Sequence, residues 1–187
     1  MRLIILGGAG AGKRTQAQRL SSCLSIPWIS TGDILRDAIA TVTPLGKQAQ
    51  TFVAKGELVP DEIMIEFMRQ RLLLPDVANG WILDGYPRTA FQAEELDFLL
   101  EDLGQQLNWA IWLDVPQSVL EVRCLKRGLI DDRLDIIQRR IQLFQERTLP
   151  ILDYYGYRQR LLSIDGEQTP DRVQQNILEK ISQTAVS

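Results

Sequence analysis

The chain has 187 residues, 45% of them hydrophobic and 24% charged, ordinary values for a folded globular protein that exclude extended disorder. A formal net charge of -3 gives no overall attraction to nucleic acid or to an anionic membrane, and no apolar run approaches membrane-spanning length. Histidine is absent, which removes the commonest general base and the commonest metal ligand.

The length predicts one compact unit with room for a sizeable core. Cys23 and Cys124 lie far apart with no C-x-x-C spacing, so neither a zinc cluster nor a disulfide framework is indicated, and both are expected as buried free thiols. With no cleavable apolar leader ahead of the first predicted strand, the expected compartment is the cytoplasm.

That first strand, Arg2-Leu3-Ile4-Ile5-Leu6, empties at once into Gly7-Gly8-Ala9-Gly10-Ala11-Gly12-Lys13-Arg14-Thr15. A short continuous apolar run reads as a parallel strand buried on both faces. The glycines let the backbone curl and aim successive N–H groups inward, Lys13 is placed to reach the β- and γ-phosphates of a nucleotide, and the helix opened by Thr15, Gln16 and Ala17 adds its dipole. The spacing G-x-x-x-x-G-K fits a phosphate-binding loop, although Arg14 stands where Ser or Thr is expected and Thr15 follows one place later.

The next helix carries Ala17, Leu20 and Leu24 on one face, and Pro27-Trp28-Ile29 follows as a second strand, completing a β-α-β unit. Ser30-Thr31-Gly32-Asp33 offers capping groups to a helix with Ile34, Leu35, Ala38 and Ile39 on one face, with Arg36 on it and Pro44 ending it. A further amphipathic piece runs from Leu45 to Lys55 and stops at Gly56, and Pro60-Asp61-Glu62 opens a helix bearing Ile63, Ile65, Phe67, Met68 and Leu72. No strand separates these helices. Residues 30 to 59 therefore read as a helical insertion forming a small subdomain, with Gly56 and Pro60 as hinges.

Trp81-Ile82-Leu83-Asp84-Gly85 is the third predicted strand, and Tyr86-Pro87-Arg88-Thr89 turns the chain into a helix from Phe91 to Leu103. Asp84 thus closes a strand at the end where open α/β sheets place ligands, and a carboxylate there beside a phosphate loop suits Mg2+ or its water shell. Trp109 to Asp114 is a fourth strand, and Pro116 opens a helix with Val119, Leu120 and Leu125 inward that breaks at Gly128. After the short connection from Leu129 to Asp132, a long helix through Ile136, Ile137, Ile141, Leu143 and Phe144 to Tyr155 carries Arg133, Arg139, Arg140 and Arg147. Arg160 to Asp165 is the fifth strand, Gly166 turns it, and Pro170 starts a last helix through Val173, Ile177 and Ile181. The alternation predicts an α/β fold of five parallel strands with helices on both faces.

Three stretches together resemble the adenylate kinases: Gly7 to Gln16, Ser30-Thr31-Gly32-Asp33-Ile34-Leu35-Arg36, and Leu83-Asp84-Gly85-Tyr86-Pro87-Arg88-Thr89-Ala90-Phe91-Gln92. The likeness continues through Gly56-Glu57-Leu58-Val59-Pro60-Asp61-Glu62, Arg123-Cys124-Leu125-Lys126-Arg127 and Asp131-Asp132 to Arg140, covering essentially the whole chain.

The resemblance implies a P-loop three-layer fold with a core of residues 1–29, 60–127 and 134–187, a nucleoside-monophosphate-binding insertion at 30–59 and a very short lid at 128–133. It implies reversible, Mg2+-dependent phosphoryl transfer, ATP plus AMP giving two ADP, by a monomeric nucleotide-biosynthesis enzyme without zinc, nucleic acid or membrane partners. By position, Gly10, Ala11, Gly12, Lys13, Arg14 and Thr15 hold the ATP phosphates, Arg123 and Arg127 cover ATP, and Gly166 approaches its base. AMP is implied at Thr31, Arg36, Glu57, Leu58, Val59, Gly85, Tyr86, Pro87, Arg88, Gln92 and Arg140, with Arg36 and Arg88 clamping its phosphate. Lys13, Arg88, Arg123, Arg127 and Arg140 are the implied catalytic residues, and Asp84 is implied to hold Mg2+ through water. The residues themselves agree, because the attacking group would be an already anionic phosphate oxygen, so alignment and cationic stabilisation suffice in a chain without histidine.

The chain departs from the family pattern in three places and in its lid. Ala9 stands where Pro is common, Tyr86 where Phe often occurs and Arg14 where Gly is usual. The shortened lid lacks one arginine, for which Arg133 is the nearest substitute. Two other readings stay open. One is a pyrimidine (UMP/CMP-type) monophosphate kinase, against which Thr31, Thr89 and Gln92 weigh. The other is a catalytically weak nucleotide-binding module, against which Lys13, Asp84, Arg88 and Arg140 weigh.

Overall fold

The computed structural model of the chain describes residues 1–128 and 133–184. Five apolar runs become strands β1 (Arg2–Leu6), β2 (Trp28–Ser30), β3 (Trp81–Asp84), β4 (Trp109–Asp114) and β5 (Leu161–Asp165), paired in the order β2-β3-β1-β4-β5. Every ladder is parallel. Leu3 and Ile5 enter one buried cluster, Ile4 and Leu6 the other, so β1 is covered on both faces. That is the physical reason its run is apolar without alternation.

Helices form the outer layers. One face is covered by α1 (Lys13–Leu24), α6 (Gln117–Arg127), α7 (Leu134–Leu143) and α9 (Pro170–Thr184), which contribute Leu20, Leu120, Ile141 and Ile177. The other is covered by α3 (Pro44–Lys55), α4 (Asp61–Leu72), α5 (Ala90–Asp102) and α8 (Pro150–Tyr157), through Ala49, Met68, Leu96 and Tyr155. The structure therefore has the expected three-layer α/β architecture.

Between β2 and α4 the chain makes α2 (Thr31–Ala40) and α3 with no strand, as expected. Ser30 Oγ accepts from the Asp33 N–H to cap α2, and Thr43 Oγ1 accepts from the Gly46 N–H to cap α3. Pro44 is the first residue of α3, where its missing N–H costs nothing. The two helices cross at Gly46, because a β-carbon there would overlap the Ala38 carbonyl.

Several expectations are corrected. The long helix predicted to reach Tyr155 is interrupted by a π turn over Phe144–Thr148, in which the Leu149 N–H donates to the Phe144 carbonyl. Pro150 explains the break, since it has no N–H to continue the α-helical ladder. Leu125, expected inward, is 51% exposed, and its neighbour Cys124 fills the core position instead. Cys23, expected buried, is exposed on the outer side of α1. The chain also makes a short 3-10 turn at Pro75–Val77 that periodicity did not suggest. Of the expected lid, only Gly128 and Arg133 lie within the described residues, and the expected connection through Leu129, Ile130, Asp131 and Asp132 falls outside them.

Candidate active site

The chain leaves β1 for β2 and then β3 on one side of the sheet and later crosses to β4 on the other, so the C-terminal end of β1 is the topological switch point. The glycine-rich loop emerges there. Gly12 precedes α1 as its N-cap at φ 94°, without a side-chain cap, which leaves the first N–H groups of the helix available to an anion. A β-carbon at Gly12 would meet no atom within 4 Å, so its outer side opens onto free space. Gly10, at φ 86°, answers a different need: a β-carbon there would lie 2.6 Å from the Leu120 carbonyl and 3.1 Å from Cys124 Sγ, so its absence lets the loop rest on α6.

Lys13 folds back beneath the loop, donating from Nζ to the carbonyls of Gly7 and Gly8, each at 2.8 Å. Burial of the ammonium lowers its pKa to about 8; the Asp84 carboxylate opposes this, while Arg88 and Arg127 reinforce it. Asp84, 9% exposed, ends β3 in register with Ile5 of β1 and Ser30 of β2. Burial pushes its carboxyl upward, against the pull of Lys13 and Arg88.

If a nucleotide binds at this loop, its phosphates take the place of the two carbonyls around Lys13 and restore its charge. Binding of ATP at pH 8 is therefore expected to take up about half a proton, because a group with a pKa near the working pH is half charged beforehand. Calorimetry in two buffers of different ionisation enthalpy measures this. Lys13→Arg, whose side chain does not titrate in this range, is expected to lose the uptake, and an unchanged uptake would move the proton to another group.

Arg88 is held from three directions. Its N–H donates to Gln92 Oε1 at 2.8 Å, its carbonyl accepts from Thr148 Oγ1 at 2.8 Å, and its Nε donates to the Gly85 carbonyl at 2.8 Å. Thr148, the last residue of the π turn, is buried under this backbone. Gln92 is in turn fixed by Asp61, whose Oδ1 accepts from Nε2 at 2.8 Å and whose Oδ2 accepts from Thr89 Oγ1 at 3.1 Å. The side chain of Arg88 stays open to water within a cleft crowded by protein, where Asp84, Arg140 and Arg36 act on its charge. Thr31 packs beside Gly85 and donates to the Asp84 carbonyl at 3.2 Å. The Tyr86–Pro87 peptide is cis, and both residues are buried, as is Val59.

Arg123 and Gly166, far apart in sequence, meet: Nη1 donates to the Gly166 carbonyl at 2.9 Å, and Nη2 to that of Glu167 at 3.2 Å. Glu57 is taken up by Arg139 through two hydrogen bonds of 2.8 and 3.0 Å, and Arg140 passes close to Gly56. Arg133, 75% exposed, pairs with Asp135. Thr15 is exposed on the first turn of α1. Sequence reading missed Asp61, Thr148 and Arg139 as supports of the site, and Asp33, which binds both Arg14 and Arg36. Asp61 and Asp33 carried a signal, since they lie within Pro60-Asp61-Glu62 and Ser30-Thr31-Gly32-Asp33.

This fold with this loop defines an α/β protein of the P-loop class. The adenylate kinase family model matches residues 5–160. Adenylate kinase 2 of Nostoc sp. is 60% identical over 178 residues, 95% of this chain and 97% of that protein. Adenylate kinase 2 of Synechocystis sp. is 52% identical over 97% of this chain and all of its own length, and adenylate kinase of Stenotrophomonas maltophilia 44% over 97% and 99%. The chain belongs to the adenylate kinase family.

Proposed function

We propose that the chain catalyses reversible phosphoryl transfer from ATP to AMP, giving two ADP. The observation that carries this reading is a single sheet end with an open phosphate cradle backed by Lys13 and, one strand away, Asp84 with Arg88 in electrostatic reach. The attacking group is a phosphate oxygen that is already anionic, so no base is needed. The protein contributes alignment, worth roughly 7–11 kcal/mol for well-held reactants, and cations facing the charge of the transferring group.

In this reading Gly10, Ala11, Gly12 and Thr15 frame the donor phosphates, Arg14 adds only its backbone N–H there while Asp33 holds its guanidinium, and Lys13 exchanges its two carbonyl partners for them. Arg123 and Arg127 cover the donor, with Gly166 beside its base. Arg36 and Arg88 clamp the acceptor phosphate, Arg140 faces the transferring group, and Thr31, Glu57, Leu58, Val59, Gly85, Tyr86, Pro87 and Gln92 shape the acceptor pocket. The acceptor-binding insertion is residues 30–59, the lid 128–133, and the remainder is core.

Among the described residues no group of three or more His, Cys, Asp or Glu could hold a metal ion. A lone buried Asp84 instead fits Mg2+, which keeps several waters and leans on nucleotide phosphates. When bound, the ion would neutralise charge between the phosphates of the donor. No helix among the described residues is long and apolar enough to cross a membrane. In this reading the chain acts as a monomer on free nucleotides in the cytoplasm.

The decisive test mixes ADP, Mg2+ and the protein and follows ATP and AMP. Equal formation of both is expected, and formation of neither would end this reading. With ATP as donor, AMP is expected to be turned over about tenfold to a hundredfold better than CMP or UMP, since committed hydrogen-bonding groups reject ligands that leave them unpaired. Gln92 is the group in question: its amide is occupied by Arg88 and Asp61 here and would exchange the Asp61 bond for adenine. A preference for CMP or UMP would assign the pocket to pyrimidines.

A further inference from the structure

Arg14 occupies the position at which this chain departs from the family's glycine, and its guanidinium reaches across to β2 and α2. Nη1 donates to Asp33 Oδ1 at 2.7 Å, and the group lies over the Trp28 ring, 5.2 Å from its centroid. The same Asp33 Oδ1 accepts from Arg36 Nη2 at 2.6 Å. One carboxylate oxygen therefore joins the helix that follows the phosphate loop to the arginine on α2.

We propose that Arg14 is a positioning residue for the acceptor side, which loosens the hold of Asp33 on Arg36 and so sets how readily Arg36 is released to an acceptor phosphate. The proposal rests on the reading of Arg36 as a clamp on that phosphate.

The physical argument has two parts. Two cations on one oxygen repel each other, and each reduces the field the other feels from the carboxylate, so Arg36 is held less firmly than by Asp33 alone. When Arg36 leaves, Arg14 stays, gripped from the far side by the Trp28 ring, and the partly buried carboxylate keeps a partner. With alanine at position 14, departure of Arg36 would strand Asp33, and acceptor binding would bear that cost. Both effects have the same sign.

The test titrates AMP alone, by calorimetry, into the full-length protein and into Arg14→Ala, Asp33→Asn, the double variant and Arg36→Ala, with steady-state constants for AMP and ATP measured alongside. Arg14→Ala is expected to raise the Kd and KM for AMP about two- to fivefold, the size of a partly exposed ion pair, while the KM for ATP stays in place. In the Asp33→Asn background the same replacement is expected to change nothing, because Arg36 is no longer parked. An effect that persists there would mean that Arg14 acts directly through space on the phosphate, and an effect on ATP would make it a donor ligand. Either result overturns the proposal. If Arg36→Ala weakens AMP binding while Arg14→Ala leaves it unchanged, only this inference falls. If Arg36→Ala binds AMP normally, the clamp assignment falls and the inference with it.

Discussion

Lys13→Ala is expected to lose turnover by about 10²–10³-fold while folding at least as well as the native chain. The loss follows from the place of the ammonium, which is tucked against the Gly7 and Gly8 carbonyls at the mouth of the cradle and would meet the phosphates whose charge shifts during transfer. A preorganised donor of that kind acts mainly in the transition state, where removing one costs about 10²–10³ in kcat. The fold is spared for a separate reason. Burial holds the pKa of Lys13 near 8, below its ordinary value, so at neutral pH the folded state keeps a mostly charged ammonium in a place that disfavours the charge. Because the unfolded chain binds that proton more tightly, the native lysine costs stability below about pH 8, and the cost fades as pH rises toward the ordinary lysine range. Alanine removes it. Single-turnover assays with ATP and AMP, paired with thermal unfolding at pH 7, check both halves, and near-normal turnover in a folded variant would refute the role.

The separation of function from stability at Lys13 illustrates what sequence could and could not reveal. The loop, its strand and Asp84 were legible because their signals are local: an apolar run, glycines at fixed spacing, and a carboxylate at a strand end. The supports of Arg88 were not, because Thr148 is sixty residues away and sits in a π turn that helical periodicity does not announce. Asp61 was visible only as part of a motif, with nothing to show that it would bind both Thr89 and Gln92. Periodicity put Leu125 inward by one position, since a helix leaning on the loop through Leu120 and Cys124 has its face set by Gly10, not by its own pattern. Arg14 looked like a cation for the nucleotide, and the partner that claims it, Asp33, lies on another helix. Local chemistry thus pointed to the candidate site, and contacts between distant segments determine how its side chains are aimed.

Arg88→Ala is where that aiming is tested most directly. Two of the three bonds that fix Arg88 are made by its backbone, to Gln92 and Thr148, so alanine keeps them and loses only the Nε bond to the Gly85 carbonyl. It also removes a cation crowded by Arg140 and Arg36, which further favours an intact fold. The guanidinium itself is different: planar, open to the cleft and fixed at its Nε, it leaves both Nη groups to grip a phosphate in two places at once. In the proposed role a clamp of that geometry would bind the acceptor and also align it, so the KM for AMP is expected to rise about tenfold and kcat to fall about 10²-fold together. Arg88→Lys is expected to recover little, because an ammonium is a point charge without the fork. The measurement is a pair of steady-state titrations, AMP at saturating ATP and the reverse. A defect confined to the ATP titration would exchange the donor and acceptor sides of the site, whereas a defect in both binding and rate for AMP follows from a rigidly held arginine facing the acceptor phosphate.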